Sequence, residues 1–325
     1  MSRMKVMIAT SCVLTCVLFL VPAAHAKTLL VCPTCVYTTI QSAVDATNPG
    51  DVVSVQSGTY YENVVIGTPN VTLKGQKPMG SVLLDCPSSG TGFGVTVLST
   101  GDTVKGLEIE GCEIGVLATL NPEIEVDSVL RSLRASKSLR PGSHGTAVMP
   151  RGKADKKGDQ NTVITDNTFE ENLIGVALVE TGDCVVSGND FFANLEAGIY
   201  TEYTFTDTIS GNTVEGVSDD DYGIGIAFGN QEAVKNNLVQ LAGYAGIVEE
   251  YTVSSKFSYN RTTNNPGDGL WAQVPSASNT FSKNTSDSNG YWDCEDDTVG
   301  AGTAGTDNKW TGNHGDTSQP PGLCK

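Results

Sequence analysis

An asparagine recurs through the second half of the chain at steps of 22, 23, 25, 23 and 24 residues: Asn167, Asn189, Asn212, Asn237, Asn260 and Asn284. Its setting repeats too, as in Ile164-x-x-Asn167-x-Phe169, Val186-x-x-Asn189-x-Phe191 and Ile209-x-x-Asn212-x-Val214. Each unit carries a second short strand that opens on glycine, at Gly175, Gly198, Gly225, Gly246, Gly269 and Gly290. A fixed period of this length, made of short apolar alternations with no helix-length pattern between them, specifies an all-β solenoid. The asparagine supplies a reason for the register. At a tight corner its amide bonds the equivalent amide one coil above and one below, which satisfies polar groups that stacking would otherwise bury unpaired. Leu107 stands where asparagine stands later, so the ladder is expected to begin after it.

Residues 1–26 have the form of a secretory leader: Arg3 and Lys5, an apolar run from Val6 to Val21, then Ala24-His25-Ala26 before Lys27. The run is short for a spanning helix. A secreted, extracellular or cell-surface location is expected, with the periplasm as an alternative, and no membrane span after cleavage. The formal charge is −17, of which the leader carries +2 and residues 129–160 carry +6, leaving −25 on the rest. So acidic a body argues against nucleic acid and anionic lipid as partners. Cleavage removes Cys12 and Cys16 and leaves seven cysteines, so at least one stays outside intramolecular disulfides. Cys32-Pro-Thr-Cys35 reads as a local staple or as pairing elsewhere. Cys294 and Cys324 are candidates to tie the tail to the last coil.

The solenoid is expected over 27–297, broken by a basic loop insertion at 121–160, with a tail at 298–325 packed back on it by Trp310. Ile40, Ala43 and Val44 share one face of a short helix that would cap the open apolar end. The opening of the chain resembles pectinesterase-type and other right-handed parallel β-helix proteins of the pectate-lyase-like superfamily. The residues that carry the resemblance are Thr39-Ile40-Gln41-Ser42-Ala43-Val44, then Gly58-Thr59-Tyr60-Tyr61-Glu62, then Val71-Thr72-Leu73-Lys74-Gly75. The resemblance implies a single-stranded right-handed parallel β-helix with three sheets, and relatives that act on pectin, alginate or similar glycans. The close on Gly322-Leu323-Cys324 is likewise similar to the ends of some secreted β-helix proteins.

Coils of a parallel sheet stack about 4.8 Å apart, so equal phases form columns. With each strand-opening glycine as origin, the second residue after it points outward: Ala177, Tyr200, Ala227, Val248, Trp271 and Trp292. The fourth forms the next column: Val179, Glu202, Gly229, Glu250, Gln273 and Cys294. Aromatic rings stack on sugars, while carboxylates and amides bond hydroxyls. Tyr200, Trp271, Gln273 and Trp292 are therefore the expected polysaccharide-binding residues. Glu202 and Glu250, two coils or about 9.6 Å apart along the backbone, approach the spacing of an inverting glycosidase pair. Asp219-Asp220-Asp221 would supply a further carboxylate or hold Ca²⁺.

The family's catalytic motifs are largely missing. Asp219-Asp220 matches one run of polygalacturonase-like hydrolases, but their Asn-Thr-Asp and Arg-Ile-Lys runs are absent, and the mannuronan epimerases' Asp-Pro-His-Asp motif is absent too. Only His144 and His314 follow the leader, so histidine chemistry is not expected. Two readings stay open: a glycan-active hydrolase (or, second to it, a lyase) using Glu202 and Glu250, and a non-catalytic surface or matrix solenoid in which those glutamates are solvated. Oligomeric state is not legible.

Overall fold

A computed structural model describes residues 25–86, 92–124, 126–137, 160–216 and 222–325. Residues 1–24, where a leader is expected, Asp219-Asp220-Asp221 and residues 138–159 of the expected basic insertion lie outside the described residues.

The asparagine column forms as expected. The Asn212 side-chain N–H groups donate to Val186 O and Asn237 Oδ1, both at 3.0 Å, while its Oδ1 accepts from the backbone N–H and side chain of Asn189 at 3.0 and 3.1 Å. The same pattern joins Asn167 to Asn189, Asn237 to Asn260 and Asn260 to Asn284. At its upper end the Leu107 N–H donates to Asn167 Oδ1, so an apolar residue serves where only the backbone donor needs a partner. At its lower end Asn284 bonds Asn313, so the ladder runs one coil further than expected. A second corner holds shorter ladders, Asn172 with Asn194 and Asn265 with Asn289.

Successive coils build three parallel sheets of 11, 9 and 10 strands, wound in the right-handed sense that parallel crossovers adopt. In the eleven- and nine-stranded sheets most strands are three residues long with only the middle one pointing in, for example Ile164 and Phe169. Inward rings stack from coil to coil: Phe169 on Phe191 at 4.8 Å, and Phe257, Phe281 and Trp310 at 4.6 and 4.0 Å. The ten-stranded sheet has the longest strands, such as Ala197–Glu202 and Ala245–Glu250, buried on both faces. Its strand-opening glycines approach the inward column closely. A Cβ on Gly175 would lie 2.5 Å from the Phe191 ring, and one on Gly223 would lie 2.1 Å from Val239.

Both ends are closed. Helix α1 (Ile40–Asp45) buries Ile40, Ala43 and Val44. Its free N–H groups at Ile40 and Gln41 donate to the Glu62 carboxylate at 2.7 and 3.0 Å, which gives the glutamate of the Gly-Thr-Tyr-x-Glu segment its role. The tail is more than packing, because Lys309–Thr311 pairs in parallel with Thr280–Ser282 as a further strand. Cys294 and Cys324 are bonded as expected, with Cα atoms 6.0 Å apart. Among the described residues Cys32–Cys35 and Cys86–Cys112 are the other disulfides, and buried Cys184 is the free thiol.

The reading of 121–160 as a loop needs correction. Helix α2 (Val126–Lys137) lies there, and Val129, Leu130 and Leu133 bury against the outer face of the ten-stranded sheet with Ile114, Leu117 and Ile174. Arg134 pairs with Glu196 at 2.8 Å.

Carboxyl groups are buried inside the coils. Asp207 accepts from the Cys184 N–H and the Thr181 hydroxyl, and Glu249 accepts from Asn279. Burial raises the proton affinity of Asp207 (to about 7), Glu232 and Glu249. Each folded-state pKa then exceeds its unfolded value. The stabilising contribution is complete below the ordinary carboxylate range and lost as pH rises through the folded value, at up to about 1.4 kcal/mol per pH unit and group. Thermal stability is expected to fall between pH 5 and 8, both roughly set by these values, and Glu232→Gln is expected to flatten that slope. Calorimetry across the range checks it; a midpoint that rises toward alkaline pH contradicts it.

Candidate functional site

The outer face of the ten-stranded sheet beyond helix α2 gathers the chemistry. Strand register pairs Val179 with Glu202, Glu202 with Ala227 and Ala227 with Glu250. The two glutamates therefore share one column, two coils apart as expected, and only a methyl group stands between them. They are 8% and 6% exposed, so each carboxyl has lost most of its water. Burial first, and then the charge of Glu202, pushes the Glu250 carboxyl up to about 7. Gln273 continues the column, and the Gln273 N–H donates to Glu249 O. Glu250, Gln273, Tyr200 and Tyr222 line a small pocket over Gly225 and Ala227. Gln273 is buried, and neither atom of its side-chain amide has a hydrogen-bond partner among the described residues.

The register differs from the sequence expectation in two coils. Ile224 pairs with Ile199 and Gly225 with Tyr200, so Gly223 opens that strand and Gly225 occupies the outward column. Ala227, not Gly229, then sits between the glutamates. In the last coil Cys294 pairs with Leu270 and Glu295 with Trp271. Gly290 opens no strand, Cys294 points inward, and Trp292 leaves the column for the preceding turn, where it is 37% exposed and its N–H donates to Asp268. A longer turn before that strand displaces every later residue.

Tyr200 and Trp271 hold their expected places in the column but are not an exposed platform, each being 1% exposed. They join a second apolar layer outside the sheet, with Tyr222, Val248 and the α2 residues. Tyr244 packs edge-on to Tyr222 at 5.2 Å and tilted on Trp271 at 5.7 Å, and the Trp271 indole N–H donates to Asp297 at 2.9 Å.

Two features escaped sequence reasoning. Tyr203, Phe228 and Tyr251 directly follow Glu202, Ala227 and Glu250 and stack ring on ring at 4.6 Å. All three have left-handed backbone, φ 55°, 54° and 50°, a conformation costly for aromatic residues that the stack over-determines. Phe228 has both faces covered by the stack, while Tyr203 and Tyr251 give it one face each. Burial, with the neighbouring Glu202 or Glu250 charge, holds the two phenols above their ordinary range. With Gly223 as the origin of the middle coil, an aromatic follows the fourth-position residue in three successive coils; the register counted from Gly225 hid it. The second feature is a further acidic group, Asp268, Glu295 and Asp297, at the far end of the same face; burial and mutual repulsion raise the Asp268 and Glu295 carboxyls.

On the nine-stranded sheet Glu108, Glu110 and Glu170 bring one oxygen each within 4.8 Å of one another. Among the described residues this is the acidic group able to meet a cation, and its donors are hard oxygens. No helix among the described residues is long and apolar enough to cross a membrane.

Solved structures share the fold. Full-length tailspike protein 2 from Escherichia coli O157:H7 bacteriophage CAB120 superimposes with a TM-score of 0.60 at 12% identity, over 86% of this chain but 38% of that one. DFA-IIIase from Arthrobacter chlorophenolicus A6 gives 0.54 at 15%, over 82% of this chain and 69% of that one. A variant of the periplasmic alginate epimerase AlgG gives 0.52 at 15%, over 89% and 71%. Identities this low establish the shared solenoid alone. The chain spans about two fifths of the tailspike's length. No curated protein sequence matches it. The family described as periplasmic copper-binding protein (NosD) matches residues 141–315, more than half of the chain, and the chain belongs to that family.

Proposed function

We propose that this extracytoplasmic solenoid binds a polysaccharide along the outer face of its ten-stranded sheet and hydrolyses it, with Glu250 as general acid and Glu202 as general base. The observation that carries the reading is a buried same-column carboxyl pair two coils apart, in which burial and then the charge of Glu202 push the Glu250 carboxyl up to about 7. Glu250 donates its proton to the glycosidic oxygen as the C–O bond breaks. Glu202 takes a proton from the water that attacks the anomeric carbon from the opposite side. The backbone separation of about 9.6 Å leaves room for that water and for inversion at the anomeric carbon. Gln273 offers an amide to a sugar hydroxyl. The alginate epimerase, and XylC in complex with xylose, associate this architecture with carbohydrate in other proteins, and the tailspike carries an enzymatically active domain on it. The leader, the disulfides and the family's description as periplasmic support the location.

A non-catalytic solenoid is the second reading, favoured by the burial of both glutamates. A screen of neutral and acidic glycans for reducing-end release separates the two. Release with an inverted anomer is expected; binding without any release favours the second reading.

The family's description also names copper. Copper sites draw on imidazole, thiolate and thioether donors. Here Cys184 is buried inside the coils with its thiol pushed up by desolvation, and His314 Nδ1 lies 2.9 Å from the Lys325 carbonyl at the tail. The group that does converge, Glu108, Glu110 and Glu170, is all carboxylate. The described residues do not fit copper, and no step is routed through it. Asp219-Asp220-Asp221 stays a proposal for Ca²⁺, tested by calorimetric titration with the ion.

A further inference from the structure

A second groove lies on the eleven-stranded sheet near its N-terminal end, away from the glutamate face. Strand register sets Lys74 directly opposite Lys105 on the next coil. Like charges one coil apart, about 4.8 Å between backbones, repel and weaken the pair. Both lysines are half-buried, so water screens them incompletely. Lys77, on the turn that follows Lys74, joins them around a groove of about 1060 Å³ with Gln76, Met79 and Asp166. Among the described residues none of the three ammonium groups has a carboxylate within ion-pair distance, although the chain carries a net charge of −17.

The groove has a physical origin. The residue after each of these lysines is Gly75 in one coil and Gly106 in the next. A Cβ on Gly75 would fall 2.0 Å from the Gly106 carbonyl oxygen, so the two corners touch through bare backbone. In later coils the same corner is Asp166, Gly188, Gly211, Asn236, Tyr259 and Lys283, so Gly188 and Gly211 repeat the bare corner but without a lysine pair beside it. Without a side chain at 75 or 106, the floor between the lysines and the 76–79 turn stays open.

We infer that this groove is a binding site for an anionic sugar unit, the carboxylate or sulfate ester of an acidic glycan. A group seated between Lys74 and Lys105 accepts charge-assisted hydrogen bonds from both and cancels the repulsion that the register imposes. Lys77 closes over it from the turn. Elsewhere an acidic body repels such a chain, so the groove supplies the basic contact that a polyanion needs. This site stands apart from the glutamate pair, and only the choice of a sugar as the carrier of the anion rests on the polysaccharide reading.

Calorimetric titration of the full chain with trigalacturonate, a sulfated trisaccharide and neutral maltotriose tests the inference. The first two probes distinguish carboxylate from sulfate, and binding of either, weakened by added salt, is expected. The double variant Lys74→Ala/Lys105→Ala is expected to bind roughly tenfold or more weakly, since each charge-assisted bond lost is worth at least about a factor of ten. Lys235→Ala, which lies further along the same column, is expected to bind as wild type does. Without ligand, Lys74→Gln is expected to raise the thermal midpoint by relieving repulsion. No binding of either anion, equal binding by the double variant, equal loss in Lys235→Ala, or a lower midpoint in Lys74→Gln overturns the inference.

Discussion

Glu250→Gln is expected to lower reducing-end release by about 10²- to 10⁴-fold, the usual worth of a positioned general acid, while glycan binding persists. Glutamine keeps the shape and the hydrogen bonds but cannot give up a proton. Glu202→Gln is expected to lose a similar factor, and its pH profile carries a further signature. Charge on Glu202 helps to hold the Glu250 proton, so any residual activity should lose its alkaline limb at a lower pH than wild type. In wild type, turnover is expected to fall as pH rises through about 7, where Glu250 ionises. Initial rates across pH for the three proteins check this. Release unaffected by both substitutions removes the pair from the mechanism.

Asn212→Ala is expected to cost about 3–5 kcal/mol, because it strands several buried groups at about 1–3 kcal/mol each. Asn212 is 1% exposed and bonds both neighbouring coils through side chain and backbone. Losing it leaves the Asn189 backbone N–H and the Val186 carbonyl without these partners. Asn167→Ala, at the end of the ladder, should cost less, since beyond it only the Leu107 N–H and the Val104 carbonyl need partners. Urea denaturation of both variants gives the comparison; equal costs would deny that the column is a continuous network.

The architecture was legible because a solenoid writes its register into sequence: each corner needs the same amide, so Asn167 to Asn284 recur visibly. Glu202 and Glu250 fall in one column because each was counted from its own strand-opening glycine, Gly198 and Gly246, which hold the same phase. The count failed where turns vary. Two glycines close together, Gly223 and Gly225, offered two registers, and strand pairing rather than periodicity decides between them. The turn before Cys294 moved Trp292 out of the column in the same way. Burial of Trp271 and Tyr200 was not legible, because phase says which face a side chain takes but not what covers that face. Helix α2 was hidden by composition: its arginines and serines outnumber Val129, Leu130 and Leu133, whose helical spacing was the informative signal.

The proton affinity of the Glu250 carboxyl tests the account most directly. Carbon-detected NMR titration of the side chain is predicted to give a midpoint of about 7 that drops in Glu202→Gln. A midpoint in the ordinary carboxylate range, unmoved by that substitution, would contradict both the burial of the pair and the role assigned to it.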